Sequence, residues 1–348
     1  MKMKKSLIAA AVASVCAAPM AAQADVNLWG EFIAGVQNDN EDAREVEGDG
    51  DMYLNLDSSN FGIESSEDLG NGMSVEAGTE LAIGGASPEL GFDNTYAALS
   101  GDFGSLLAGW GVDSAFYLHV LEPTDVGEVL GGYLAFGESG YSDAADNALQ
   151  YGYDGGAFQL TAEVQMQPED DVELPTTPAT TAAAENTETF DKMALGATFD
   201  AGVVTIGVGH ELSSVADNTD QTGGDAPAEP SMTGFSVGGG FGGFDLGASY
   251  VMFDTDSDAD EGTDPTALDL NASTDFGGGL GGLVGVGMYD ADNDDDADNM
   301  TGFHVQLSQS LSSNTMVFGQ LQSQSIDGGD AGEDTDPQSV FVGVSHAF

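Results

Sequence analysis

The chain has 348 residues, of which 60 are Asp or Glu and only 5 are Lys or Arg, a formal net charge of −55. Nucleic-acid affinity comes mainly from Lys and Arg displacing counterions from phosphates, so a surface this negative excludes nucleic acid as a partner. A hydrophobic share of 41% argues against a disordered acidic chain, and 50 glycines without a three-residue period exclude collagen and favour Gly-rich turns and barrel strands over long helices.

Residues 1–24 open with Lys2, Lys4 and Lys5, continue through an apolar run from Leu7 to Ala18 and end on Ala22-Gln23-Ala24. This is the pattern of a secretory signal, with cleavage expected after Ala24. Its loss would remove three lysines and no acid, leaving Arg44 and Lys192 against 60 acidic residues, a net charge of −58. The one cysteine, Cys16, lies inside this segment, and Val15 stands where a lipoprotein signal needs a small residue. Disulfides, thiolate catalysis and Cys-ligated zinc are then unavailable to residues 25–348. No later apolar run approaches the ~20 residues of a spanning helix.

From Met73 the chain places Met73, Val75, Ala77, Thr79, Leu81 and Ile83 on one parity and Ser74, Glu76, Gly78, Glu80 and Ala82 on the other. This is strand alternation over about eleven residues, the length of a tilted strand crossing a bilayer. The alternation returns with Gln159, Thr161, Glu163 and Gln165 on the wet face, and again with Lys192, Ala194, Gly196 and Thr198. Continued along the chain, it predicts sixteen strands near 26–37, 53–64, 73–83, 92–100, 103–112, 147–154, 157–166, 191–199, 203–212, 232–240, 243–253, 266–275, 282–290, 299–310, 314–325 and 338–348. Short Gly-rich links such as Gly101-Asp102 and Gly155-Gly156 interleave with long segments near 38–52, 113–146, 167–190, 213–231, 254–265, 291–298 and 326–337. Any one strand would suit a secreted β-sandwich equally well. An even strand number, alternating short and long connections and an export signal together favour an all-β, antiparallel transmembrane barrel with short periplasmic turns and long extracellular loops.

Particular blocks carry a further signal. Ser58-Ser59-Asn60-Phe61-Gly62-Ile63, Glu67-Asp68-Leu69-Gly70-Asn71-Gly72, Leu99-Ser100-Gly101-Asp102-Phe103-Gly104 with Leu107-Ala108-Gly109, Asn147-Ala148-Leu149-Gln150-Tyr151 and the final strand from Val340 to Phe348 resemble the conserved blocks of Gram-negative general diffusion porins. The resemblance implies a homotrimer of sixteen-stranded barrels in the outer membrane of a Gram-negative bacterium, in contact with lipid and lipopolysaccharide, with no cofactor and no enzymatic activity. It implies that Phe348 is the aromatic read by the barrel-assembly machinery. It also implies that the third long loop folds inward to narrow the pore. The matching segment is 113–146, carrying Asp113, Glu122, Asp125, Glu128 and Glu138. Family members usually face that acidic loop with wall arginines. Here Trp110 follows the matched Leu107-Ala108-Gly109 block, Gln150 occupies an often basic position, and Lys192 is the one basic wall candidate by parity.

Acidic groups near a narrow section concentrate cations and repel anions. Glu76, Glu80 and Glu163 on the wet parity, with the five loop acids, therefore lead to the expectation of a cation-preferring channel for small hydrophilic solutes. Two alternatives stay open at this point: a substrate-selective channel of the same barrel class, and a secreted acidic calcium-binding or adhesion β protein. Asp256 to Gly262 loosely matches a calcium loop but lacks the distal bidentate Glu. His119, His210, His304 and His346 fall in no metal-ligand spacing.

Overall fold

A computed structural model describes residues 25–40, 52–56, 59–84, 89–125, 135, 144–166, 190–213, 231–254, 264–292, 299–327 and 335–348. The expected signal 1–24, most of the acidic loops, and Glu128 and Glu138 lie outside these residues. The strands, in chain order, are β1 (Asp25–Asp39), β2 (Met52–Asn55), β3 (Ser59–Gly70), β4 (Met73–Gly84), β5 (Glu89–Gly101), β6 (Gly104–Trp110), β7 (Val112–Asp113), β8 (Ala144–Ala145), β9 (Ala148–Asp154) and β10 (Phe158–Met166). There follow β11 (Phe190–Asp200), β12 (Thr205–Ser213), β13 (Ser231–Phe241), β14 (Phe244–Asp254), β15 (Thr266–Gly277), β16 (Leu280–Asp290), β17 (Met300–Ser312), β18 (Thr315–Ile326) and β19 (Gln338–Ala347).

Seventeen of these pieces form one antiparallel sheet, and β1 pairs with β19 from Glu31↔Ala347 to Asp39↔Ser339, which closes the sheet on itself. β2 and β3 both pair with β1 and are two lengths of a single stave, so the wall is a sixteen-stave barrel. Closure leaves no row of unpaired N–H and C=O groups in the wall, the condition for a sheet to stand in hydrocarbon. The stave expected at 53–64 is thus offset, and the one expected at 103–112 stops at Trp110.

Four of the tight turns share one device. Asp68, Asp154, Asp200 and Asp275 each accept, on the side-chain oxygen, the N–H of the residue two places on, Gly70, Gly156, Gly202 and Gly277, at 2.6–2.7 Å. Each of those glycines has positive φ, from 76° to 89°, which a side chain would resist. The Asp-x-Gly triplet therefore caps one strand and reverses the chain into the next.

The period of two sorts the wall. On β12, Ile206, Val208 and Leu212 are exposed on the outside while Gly207, Gly209 and Glu211 are buried inside, and on β17 Phe303, Val305 and Leu307 face out against His304 and Gln306. Inner residues of an empty barrel would be wet. Here many are buried because the segment after β6 folds into the lumen and brings a hydrophobic core with it. Phe116, Val120, Leu121 and Ala135 pack against inward-facing Met232, Val251, Phe253, Ala267 and Met300. Burying side chains of this size contributes about 1.5–3 kcal/mol each, enough to hold a segment with little regular structure.

Candidate functional site: an inward loop and an acidic passage

The loop leaves the wall just after Trp110, at Gly111, whose φ of 64° turns the chain inward. A two-stranded ribbon, β7 with β8 through Val112↔Ala145 and Asp113↔Ala144, ties its neck. Beyond the neck come a five-residue π-helical turn at Tyr117–Leu121 and a 3₁₀ turn at Glu122–Thr124, started by Ser114, whose hydroxyl accepts the Tyr117 N–H at 3.0 Å.

Hydrogen bonds from wall side chains hold this segment. Glu163 is 3% exposed, and its carboxylate accepts the Ala115 N–H at 2.8 Å, the Gln150 amide at 2.8 Å and the Gln165 amide at 2.9 Å. Gln150 also donates to the backbone oxygen of Asp113 at 2.7 Å. His119, 3% exposed, meets Thr161 through Nε2 at 2.8 Å and Thr198 through Nδ1 at 3.3 Å, while its backbone oxygen accepts from the Ser236 hydroxyl at 3.1 Å. Burial lowers the His119 ring to about 4, so it is neutral at neutral pH.

The acids expected at the constriction separate into groups. Glu122 and Asp125 are exposed on the loop, and Asp113 is exposed at its neck. The Glu122 carboxyl is raised above the ordinary carboxylate range, first by partial burial and then by the charges of Asp113 and Asp125. On the inner wall, Glu80 accepts from Asn94 at 2.9 Å and lies within electrostatic reach of Asp93 and Asp113. Glu76 accepts the Tyr96 hydroxyl at 2.8 Å. Glu80, Asp113, Glu122 and Asp125 thus form one acidic line running from wall to loop.

Three residues nominated from sequence sit differently. Trp110 is in register with Thr95 and shares the outer face with Leu106 and Ala108, 42% exposed, so it points away from the lumen. Glu163 faces inward as its parity requires, but it is consumed as the loop's anchor. Lys192 also faces inward, 3.3 Å from Glu211, whose side chain is 1% exposed, so the one Lys or Arg among the described residues is matched by an acid. Phe348 stacks on Phe32 at 5.7 Å and Phe61 at 6.5 Å while its backbone pairs with Gly30. Sequence reading missed the loop's core and His119's role; apolar residues on both parities of β13, β14 and β17 were the available signal. Beneath the loop a cavity of about 480 Å³ is lined by Ser100, Ser105, His119, Glu122, Gln159 and Thr161 among others.

The family model for Gram-negative porins matches residues 9–347. The chain belongs to the Gram-negative porin family. It is therefore an outer-membrane channel protein, and the family's members are channels rather than enzymes. Major outer membrane protein P.IB of Neisseria meningitidis serogroup B is 36% identical over 117 residues, 31% of this chain and 33% of that protein. The protein of the same description from Neisseria gonorrhoeae is 35% identical over 113 residues, 31% of this chain and 32% of that protein. The chain thus spans about a third of the length of the curated relatives it matches. Among solved structures, an anion-selective porin from Comamonas acidovorans aligns with a TM-score of 0.71 at 18% identity, covering 94% of this chain and 100% of that one. The trimer form of OmpT, an outer membrane protein of Vibrio cholerae, aligns with a TM-score of 0.67 at 16% identity, covering 93% and 99%. At these identities the likeness establishes the fold. Outer-membrane porin membership replaces the secreted calcium-binding or adhesion reading.

Proposed function

We propose that this porin is a water-filled, cation-preferring channel for passive diffusion of small hydrophilic solutes, with segment 113–146 as its constriction. The observation that carries this reading is the acidic line Glu80, Asp113, Glu122 and Asp125, which among the described residues meets no opposing arginine or unmatched lysine. Fixed charges of one sign in a confined passage enrich counter-ions and exclude co-ions. The anion-selective neighbour shares the fold, whereas selectivity belongs to side chains that are this chain's own.

The test is the zero-current potential of the purified protein in a planar bilayer under a KCl gradient, for wild type and for a Glu122→Gln, Asp125→Asn double variant. A cation-selective potential that weakens in the double variant supports the reading; an anion-selective or unselective wild type sinks it. Acidification should erode the preference from above the ordinary carboxylate range, because Glu122 takes up its proton early.

The remaining expectations belong to the same proposal: cleavage after Ala24, recognition of Phe348 by the assembly machinery, contact with lipopolysaccharide, and a homotrimer. The homotrimer has support on the outer face of β3–β6, where Ser65, Ala77, Ala97 and Ala108 lie in one register row. Small residues let barrel walls approach closely in lipid. On the opposite wall the corresponding row reads Val208, Phe235, Tyr250 and Leu268, suited to acyl chains.

A further inference from the structure

Six inward-facing glycines lie under the loop across four neighbouring strands: Gly196 on β11, Gly207 and Gly209 on β12, Gly234 and Gly238 on β13, and Gly247 on β14. A Cβ on any of them would come within 3.0 Å of a loop atom. At Gly196, Gly207, Gly238 and Gly247 that atom is a backbone oxygen, of Ala115, His119, Pro123 and Thr124 respectively. At Gly209 it is Val120 Cγ2, at 2.7 Å, and at Gly234 it is Phe116 Cζ, at 2.5 Å. None of the six has positive φ, so the strand backbone itself would accept any residue. Glycine also weakens a strand interior. What these positions require is the absence of a side chain, because the loop's main chain rests directly on the backbone of the wall.

We propose that this glycine track is the width-determining element of the channel. The missing side chains set how closely the loop hugs the wall, and so how much of the lumen stays open and how near Glu122 and Asp125 stand to the Glu76 and Glu80 wall. The proposal rests on the reading of 113–146 as the constriction. Its sense follows from geometry: the loop lies between the track and the open part of the lumen, so a methyl group under it displaces it into the passage.

The experiment compares single-channel conductance of Gly207→Ala, Gly238→Ala and Gly209→Ala with that of Gly319→Ala, with strand content checked by circular dichroism. Gly319 is an outer-face glycine whose Cβ would meet nothing nearer than Val342 Cγ2 at 3.9 Å, so its variant serves as the control. A fall of about twofold in conductance in the track variants, with the control unchanged, is expected because packed contacts transmit a displacement of this size to the pore. Expulsion of the loop, read as a rise in conductance with weakened selectivity, would equally show that the track positions it. Rescue supplies the decisive readout: Val120→Ala removes the nearest group that a methyl at 209 would strike and leaves only Phe116 Cδ2, at 3.1 Å, in tight contact, so Gly209→Ala with Val120→Ala should return most of the way to the conductance of Val120→Ala alone. This pair decides the matter even if Gly207→Ala does not fold. Track variants indistinguishable from Gly319→Ala, or a double variant that stays as impaired as Gly209→Ala, would overturn the proposal. Glycine variants that alter conductance while the Glu122 and Asp125 substitutions leave selectivity untouched would sink the selectivity reading and leave the track standing.

Discussion

His119 sits on a loop inside the barrel, its ring sealed between Thr161 and Thr198 and held neutral by burial. Because its folded value is lowered from 6.5 to about 4, the unfolded chain binds the extra proton first as pH falls. The histidine's stabilising contribution is therefore complete above about 6.5 and is lost progressively as pH falls from there towards 4, at up to ~1.4 kcal/mol per pH unit. Heat-denaturation midpoints at pH 7 and pH 5 should fall more for wild type than for His119→Gln; equal slopes would show that the ring does not couple to stability. At this scale the wet-face parity of Glu76, Glu80, Glu163 and Lys192 was legible, since a strand's two faces follow from counting by two. What each inner residue meets was not. Glu163 and Lys192 look alike as lumen charges until the chain brings Ala115 to one and Glu211 to the other.

Among the elements, the loop behaves as a small domain housed within the barrel. Its own apolar residues and the inward Met232, Val251, Phe253 and Met300 make a core, while Glu163 fastens its neck. Glu163→Ala would leave the Ala115 N–H and two amides without their carboxylate, weakening loop docking by ~2–5 kcal/mol. Noisier open-channel current and faster proteolysis within 113–146 are expected, with the wall's strand content unchanged; quiet traces and wild-type cleavage rates would remove Glu163 from this role. The strands were readable because lipid outside and water inside impose opposite polarities on alternate positions. The rule fails where the loop replaces the water. Leu107 and Ala148 face in beside Val112, so this part of the wall carries apolar side chains on both faces. Trp110 was misplaced for a related reason, because its position was judged from a family block rather than from its parity with Leu106 and Ala108.

For the whole molecule, the sixteen-stave closure, the opposed outer rows and the charge form one design. In the proposed homotrimer the row from Ser65 to Ala108 would meet its copies, so Ala97→Trp should shift the detergent-solubilised protein from the trimer mass towards the monomer mass in light scattering, with the barrel intact. An unchanged mass would move the subunit contact elsewhere. The seam adds a constraint of another kind. Because β1 finds its second neighbour only in β19, about 300 positions later in the chain, a nascent polypeptide halted before residue 338 has two raw edges that neither its own strands nor lipid can satisfy. Only a chain that carries β19 can therefore seal the wall, and the seam works as a proofreading step that keeps chains without this strand from becoming pores.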